Sequence, residues 1–120
     1  MINNTIPKTL QIWAKSISKR NPRVMTSLYC KEAILLPTYD TVLIGREKIE
    51  EYFIDFLNKE DLKCTIILNF TQNIGVSQVA SGKYIFSFLD NGIKKQVFAR
   101  YTYVIQNGVI INHHSSVVPN

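Results

Sequence analysis

The second half of the chain most restricts what it can fold into. β-Branched and aromatic residues alternate with polar ones over four stretches, 63–70, 78–89, 96–105 and 109–117. Asp90-Asn91-Gly92 and Asn107-Gly108 separate the last three. Asn-Gly pairs take the positive φ angles that two-residue hairpins need, so these stretches predict an antiparallel meander.

Helical periodicity is confined to the first half. Leu10, Trp13, Ala14 and Ile17 recur at i, i+3, i+4 and i+7, which predicts an amphipathic helix over 7–18. Asn21 followed by Pro22 reads as an N-cap with proline at the first helical position. It opens a short helix to about Tyr29, with Val24, Leu28 and Met25 as its core candidates. A buried strand is expected at Ala33-Ile34-Leu35-Leu36, stopped by Pro37 before a turn at Tyr39-Asp40-Thr41. After Gly45, the residues Ile49, Tyr52, Phe53, Phe56 and Leu57 fit a third helix, with charged residues on its other positions. Helices first and strands after define an α+β class, with no repeat or linker to divide 1–120. The expected architecture is a cone-shaped, curved antiparallel β-sheet packed against three N-terminal helices. Its open end would form a cleft lined by strand ends and the third helix.

Bulk properties narrow the function classes. A chain of 120 residues with 46% hydrophobic and 19% charged residues can bury one core without staples. No apolar run reaches the roughly 18 residues of a membrane span, and the N-terminus lacks a signal-peptide pattern, so a cytoplasmic location is expected. Cys30 and Cys64 are far apart with no Cys-x-x-Cys spacing, which favours free thiols. The net charge of +5 is scattered, without the basic stripe and interleaved aromatics of a nucleic-acid binder. Neither nucleic acid nor membrane is expected as a partner.

The candidates for chemistry lie on the last two strands and beside the cleft. Alternation puts Phe98, Arg100, Thr102 and Val104 on one face, and Val97, Ala99, Tyr101, Tyr103 and Ile105 on the other. Two readings stand for Arg100: a solvent-facing or acid-paired side chain, or an anion-binding one. On the closing strand, parity places Val109, Ile111, His113 and Ser115 on one side and Ile110, Asn112, His114 and Ser116 on the other. Which side faces inward is open. Adjacent histidines on a strand cannot chelate one ion together, and no Cys pair or acidic cluster accompanies them, so no metal site is expected. A serine and a histidine two apart are separated by about 7 Å at the backbone, long for direct activation of a nucleophile. A water bridging several hydroxyls and an imidazole needs less strict alignment. Thr38, after Pro37, and Tyr52, on the third helix, complete the polar set; each also has an ordinary reading, as a turn residue and as a core tyrosine.

Taken in order, Trp13, Asn21-Pro22, Tyr29, Leu35-Leu36-Pro37-Thr38, Tyr52-Phe53-x-x-Phe56-Leu57, Ser81-Gly82-x-Tyr84-x-Phe86, Ala99-Arg100-Tyr101-Thr102 and His113-His114-Ser115-Ser116-x-x-Pro119 resemble one family. It comprises small proteins similar to the association domain of calcium/calmodulin-dependent protein kinase, within the nuclear transport factor 2-like superfamily. Members with a closing His-His-His-Ser-Ser-x-x-Pro segment include the iota-class carbonic anhydrases, some working without a bound metal. In this chain Asn112 stands at the first histidine position.

The resemblance implies a cavity for carbon dioxide and bicarbonate. Thr38, Tyr52 and Ser115 or Ser116 would polarise water, His113 or His114 would assist, and Arg100 and Tyr101 would contact the ligand; no cofactor is implied. It also implies a homodimer through the convex sheet face, with Tyr101 or Tyr103 as candidate contacts. Three readings remain from the residues: an enzyme of this type, a non-catalytic binder of a small anion or other small molecule, and an oligomerisation domain.

Overall fold

The computed structural model describes residues 2–38 and 42–119, and the turn expected at Tyr39-Asp40-Thr41 lies outside the described residues. The elements run β1 (Ile2–Asn3), α1 (Lys8–Ile17), α2 (Pro22–Ser27), β2 (Tyr29–Leu36), β3 (Leu43–Ile44), α3 (Arg46–Phe56), β4 (Glu60–Ile74), β5 (Ser77–Asp90), β6 (Ile93–Gln106) and β7 (Val109–Val117). They form one curved, unclosed seven-stranded sheet in the order β1-β4-β5-β6-β7-β2-β3, with three helices against it. The α+β class and the helix-on-sheet architecture expected from the sequence are therefore found. None of the described helices is long and apolar enough to cross a membrane.

Both Asn-Gly turns behave as their chemistry dictates. Asn91 and Gly92 have φ of 53° and 78°, and Asn107 and Gly108 have 50° and 76°. Both residues of each pair are thus left-handed, as a type I′ hairpin requires. Asn21 caps α2 with its side-chain oxygen, which accepts from the backbone N–H of Arg23 and Val24 at 3.0 and 3.3 Å. The short helix has room for one buried stripe. Met25 and Thr26 take it, so Val24, expected inside, is 39% exposed. Tyr29 belongs not to this helix but to the start of β2, where its side chain is fully buried.

The sheet departs from pure antiparallel pairing at one place. β2 runs parallel to β7, with Leu35 opposite His113. The hairpin chemistry that orders β5 to β7 says nothing about this pair, because almost the whole meander intervenes between its strands. β1 and β3, two-residue edge strands, are too short to leave a periodic signal in the sequence.

Two bulges decide which residues face the helices. In β7, Ile110 pairs with Ile105 and Asn112 with Val104, leaving Ile111 as the extra residue. Simple alternation separates Ile110 from His113; the bulge brings Ile110, His113 and Ser115 all onto the buried face. In β4, Ile66 pairs with Tyr84 and Leu68 with Lys83, so Ile67 is extra. At this second bulge the Leu68 carbonyl presses against Gly82, and a Cβ built at Gly82 would collide with it. The Tyr101 ring, opposite Gly82 in register, covers the space and donates its hydroxyl to Asn69 Oδ1 at 2.7 Å.

Gly82→Ala is expected to lower stability by about 1–3 kcal/mol, because the obstructing atom is backbone and cannot rotate away. Urea unfolding measures this; an unchanged midpoint would show that the β4 bulge relaxes freely.

Candidate functional site

Trp13 is the hub of the core. Its ring stacks on Tyr84 at 5.9 Å and meets Phe53, Phe86, Tyr103 and His113 edge-on at 5.5–6.5 Å. It is delivered by the apolar stripe of α1, whose buried residues include Leu10, Trp13 and Ile17. His113 lies flat on Tyr103, with ring centroids 3.8 Å apart and planes 16° from parallel.

A line of hydrogen bonds passes through this aromatic box. Trp13 Nε1 donates to Tyr29 Oη at 3.0 Å, and Tyr29 Oη lies 2.8 Å from His113 Nδ1. On the other side of the imidazole, His113 Nε2 is 3.1 Å from Tyr84 Oη, which donates to Ser115 Oγ at 2.7 Å. Ser115 Oγ is in turn 2.7 Å from Thr38 Oγ1. The gap of about 7 Å expected between His113 and Ser115 is thus bridged by a tyrosine hydroxyl, the role that sequence reasoning left to a water.

Burial keeps the line uncharged. It depresses the His113 imidazole to about 3, with a smaller push in the same direction from His114. Burial also raises Tyr29, Tyr84 and Tyr103 well above the ordinary phenol value. The Cys64 thiol, pushed up to about 12 by desolvation, is not a thiolate nucleophile at neutral pH. Cys30 and Cys64 are both free.

Thr38 stands where two cavities meet. The inner one, of ≈ 10 Å³, touches Trp13, Tyr84, His113 and Ser115 and has room for about one water. The outer one, of ≈ 520 Å³, is walled by Leu43, Phe56, Phe86, Phe88 and Val97. Thr38, Tyr52, Phe56 and Phe86 border both. At the mouth Lys48, Glu51, Asp55 and Lys59 supply two charges of each sign. Lys48 pairs with Glu51 at 3.6 Å, and the Lys59 ammonium sits over the Phe56 and Phe88 rings at 4.8 and 5.7 Å.

Of the residues singled out in the sequence, the structure brings together Thr38, Tyr52, His113 and Ser115. It does not bring the others to this cavity. Arg100 is exposed on the outer sheet face, beside Lys83 and Ser116 in register. His114, opposite Thr102, is also exposed, because neighbours of the inward His113 and Ser115 must point outward. Tyr101 is buried, but its hydroxyl is committed to Asn69 and the Leu68 carbonyl. Tyr101 and Tyr103 also cannot be exposed dimer contacts, since both point into the core. Sequence reasoning did not assign Tyr29, Tyr84 or Trp13 to the site. Tyr84 was legible as a tyrosine alternating with Phe86, but nothing local marks which hydroxyl reaches His113. Among the described residues, no group of three His, Cys, Asp or Glu side chains is placed to hold a metal ion.

This arrangement of core and cavity has recognisable relatives. The family profile described as calcium/calmodulin dependent protein kinase II association domain matches residues 3–119. The chain belongs to this family. A crystal structure from Xanthomonas campestris, carrying the provisional description of such an association domain, is 38% identical with a TM-score of 0.85, covering 92% of this chain and 84% of that one. A nuclear transport factor 2-like superfamily protein from Salmonella enterica serovar Typhimurium shares the fold at 19% identity and a TM-score of 0.81, covering 94% of this chain and 88% of the other. A ketosteroid isomerase-like protein from Erwinia carotovora atroseptica shares it at 8% identity and a TM-score of 0.75, covering 93% and 92%. No curated protein matches the chain. Membership of the association-domain family accords with self-association, and the more distant neighbours share the fold.

The depressed imidazole makes stability sensitive to mild acid. Below pH 6.5 His113 takes up a proton in the unfolded chain but not in the folded one, so stability falls as pH drops from 6.5 towards 3. The expected slope from this one group is about 1.4 kcal/mol per pH unit. Urea unfolding between pH 6.5 and 5 should show it, with a smaller slope in His113→Gln; equal slopes in both proteins would contradict a buried neutral imidazole.

Proposed function

We propose that this association-domain family member handles a small molecule in the divided cavity, adding water to a carbonyl-type carbon or removing it, with carbon dioxide as the simplest substrate of that class. The observation that carries the reading is the position of Thr38, between a water-sized inner compartment and an outer one of ≈ 520 Å³. That outer volume lies within the ~300–1,000 Å³ range of small-molecule sites, so an organic substrate fills it better than a three-atom gas. Carbon dioxide would occupy only its inner end.

In this reading Thr38, Ser115 and Tyr52 orient one water, and the aromatic walls keep bulk solvent away from it. His113 is too weakly basic to take the proton at neutral pH; it holds Tyr84, and through it Ser115, in place. Hydration of carbon dioxide consumes one water and yields bicarbonate and one proton, which leaves through the mouth past Glu51 and Asp55. In this reading no metal is required, as in some of the iota-class carbonic anhydrases that the closing segment resembles. Stopped-flow hydration by chelator-treated protein tests this. Wild type should exceed the buffer rate, Thr38→Val and Ser115→Ala should each lose roughly a hundredfold, and Ser116→Ala should match wild type. A wild-type rate equal to buffer removes carbon dioxide as the substrate. If bicarbonate, short aldehydes and short carboxylates also fail to raise the melting temperature, the small-molecule reading falls with it.

A second reading, self-association, is favoured by a separate observation. Leu68, Phe70 and Phe98 are exposed on the outer sheet face, on the same side as Arg100 by register. Apolar side chains exposed among Lys83 and Arg100 on an open sheet face suit the self-complementary contact of a two-fold dimer. Light scattering should give a dimer or larger assembly, and Phe98→Asp should shift it to monomer without changing the circular dichroism spectrum. A wild-type monomer at high concentration removes this reading.

A further inference from the structure

We infer that the hydrogen-bond line beneath the cavity has one direction, set at its far end by Trp13, and that it leaves Thr38 as a donor, so the ligand atom seated there is an acceptor oxygen of carbonyl or carboxylate type. The direction of the line stands on its own geometry. The ligand class rests on the proposed small-molecule reading.

Counting hydrogens gives the direction. An indole N–H only donates, so Tyr29 Oη accepts from Trp13 at 3.0 Å. The single hydrogen of Tyr29 then has His113 Nδ1, 2.8 Å away, as its partner. A proton on Nδ1 would force Tyr29 to accept twice and strand its own hydrogen in a fully buried position, which costs more than a hydrogen bond contributes. Nδ1 is therefore bare, and a neutral imidazole carries its proton on Nε2. That N–H donates to Tyr84 Oη, which donates to Ser115 Oγ. Ser115 is buried, and its own hydrogen has Thr38 Oγ1 at 2.7 Å as its partner among the described residues. Each group accepts from the one before it and donates to the next, down to Thr38.

Thr38 is only half-buried and borders both compartments, so its hydrogen is the one that points to the cavity. A ligand presenting a lone pair completes the line. A ligand presenting only N–H or ammonium hydrogens leaves the Thr38 hydrogen without an acceptor and meets at most the one remaining lone pair of that oxygen, and reversing the line to suit it would strand a donor at Tyr29. Trp13, Tyr29, His113 and Tyr84 are thus positioning residues, which set the polarity of a hydroxyl they do not share with the ligand.

Two measurements on the full chain test this. The first is the ¹⁵N spectrum of the His113 ring, which should show a bare Nδ1 and a protonated Nε2 at neutral pH. A proton on Nδ1 overturns the direction outright, with no ligand involved. The second compares the binding of propionate, propionamide and propylamine by chemical-shift titration.

Wild type should prefer propionate and propionamide to propylamine, and Thr38→Val should weaken propionate by roughly tenfold, the worth of one charge-assisted hydrogen bond. Thr38→Ser should retain propionate binding. Tyr84→Phe, which cuts the line without touching the ligand, should shrink the preference for propionate over propylamine while the protein stays folded. A preference for propylamine that is lost in Thr38→Val overturns the donor assignment. Failure of all three probes to bind overturns the small-molecule reading and the ligand class with it, and the ring spectrum still decides the direction.

Discussion

Both nitrogens of a fully buried imidazole must find partners, and in this fold they find them on two different strands. Tyr29 on β2 serves Nδ1 and Tyr84 on β5 serves Nε2, while Trp13 on α1 holds Tyr29 from behind. An unpaired polar atom at such a site costs ~1–3 kcal/mol, more than a typical hydrogen bond contributes, so the partners are required rather than decorative. One side chain on β7 thereby ties together the first helix, the parallel neighbour β2 and the strand that opens the meander, β5. The stacking of His113 on Tyr103 and the edge contact with Trp13 close the remaining directions.

The same residue explains why the site is neutral. Desolvation removes the charge that an exposed imidazole would take up in mild acid, and it keeps the surrounding phenols protonated. Formal charge is confined to the mouth, where Lys48, Glu51, Asp55 and Lys59 balance each other. The inner end can therefore discriminate only by hydrogen-bond direction and shape. This sets the chain apart from a site organised around a buried cation, for which Arg100 was the sequence candidate. That arginine is on the solvent side of the sheet. Since the fold hosts many activities, such differences in lining, and not the architecture, bear on function.

Most of the architecture was legible because it follows from local rules. Asn-Gly pairs specify hairpins, the stripe through Leu10, Trp13 and Ile17 specifies an amphipathic helix, and Asn21-Pro22 specifies a helix start. The misreadings on the strands have one main cause. Strand parity is a reliable guide only while the ladder is regular, and a single extra residue reverses it. Ile111 in β7 moved Ile110 to the buried face together with His113. Parity grouped Tyr101 correctly with Tyr103 and Ile105, yet its burial and its reach across Gly82 to Asn69 depend on a bulge in a third strand.

The sequence by itself determined the types of the longer elements, the order of the meander, the family, and a set of polar candidates in which Thr38, Tyr52, His113 and Ser115 stood beside His114, Ser116, Arg100 and Tyr101. These are consequences of spacing and residue chemistry within one element. Only the tertiary structure decided that His113 and Ser115, not His114 and Ser116, face inward, and that Tyr84 bridges them. It also decided that Trp13 and Tyr29 stand behind the imidazole. The physical reason is that hydrogen-bond partners are chosen by where separate strands and a helix meet, and residues 13, 29, 84 and 113 meet only once the sheet has curved around the first helix.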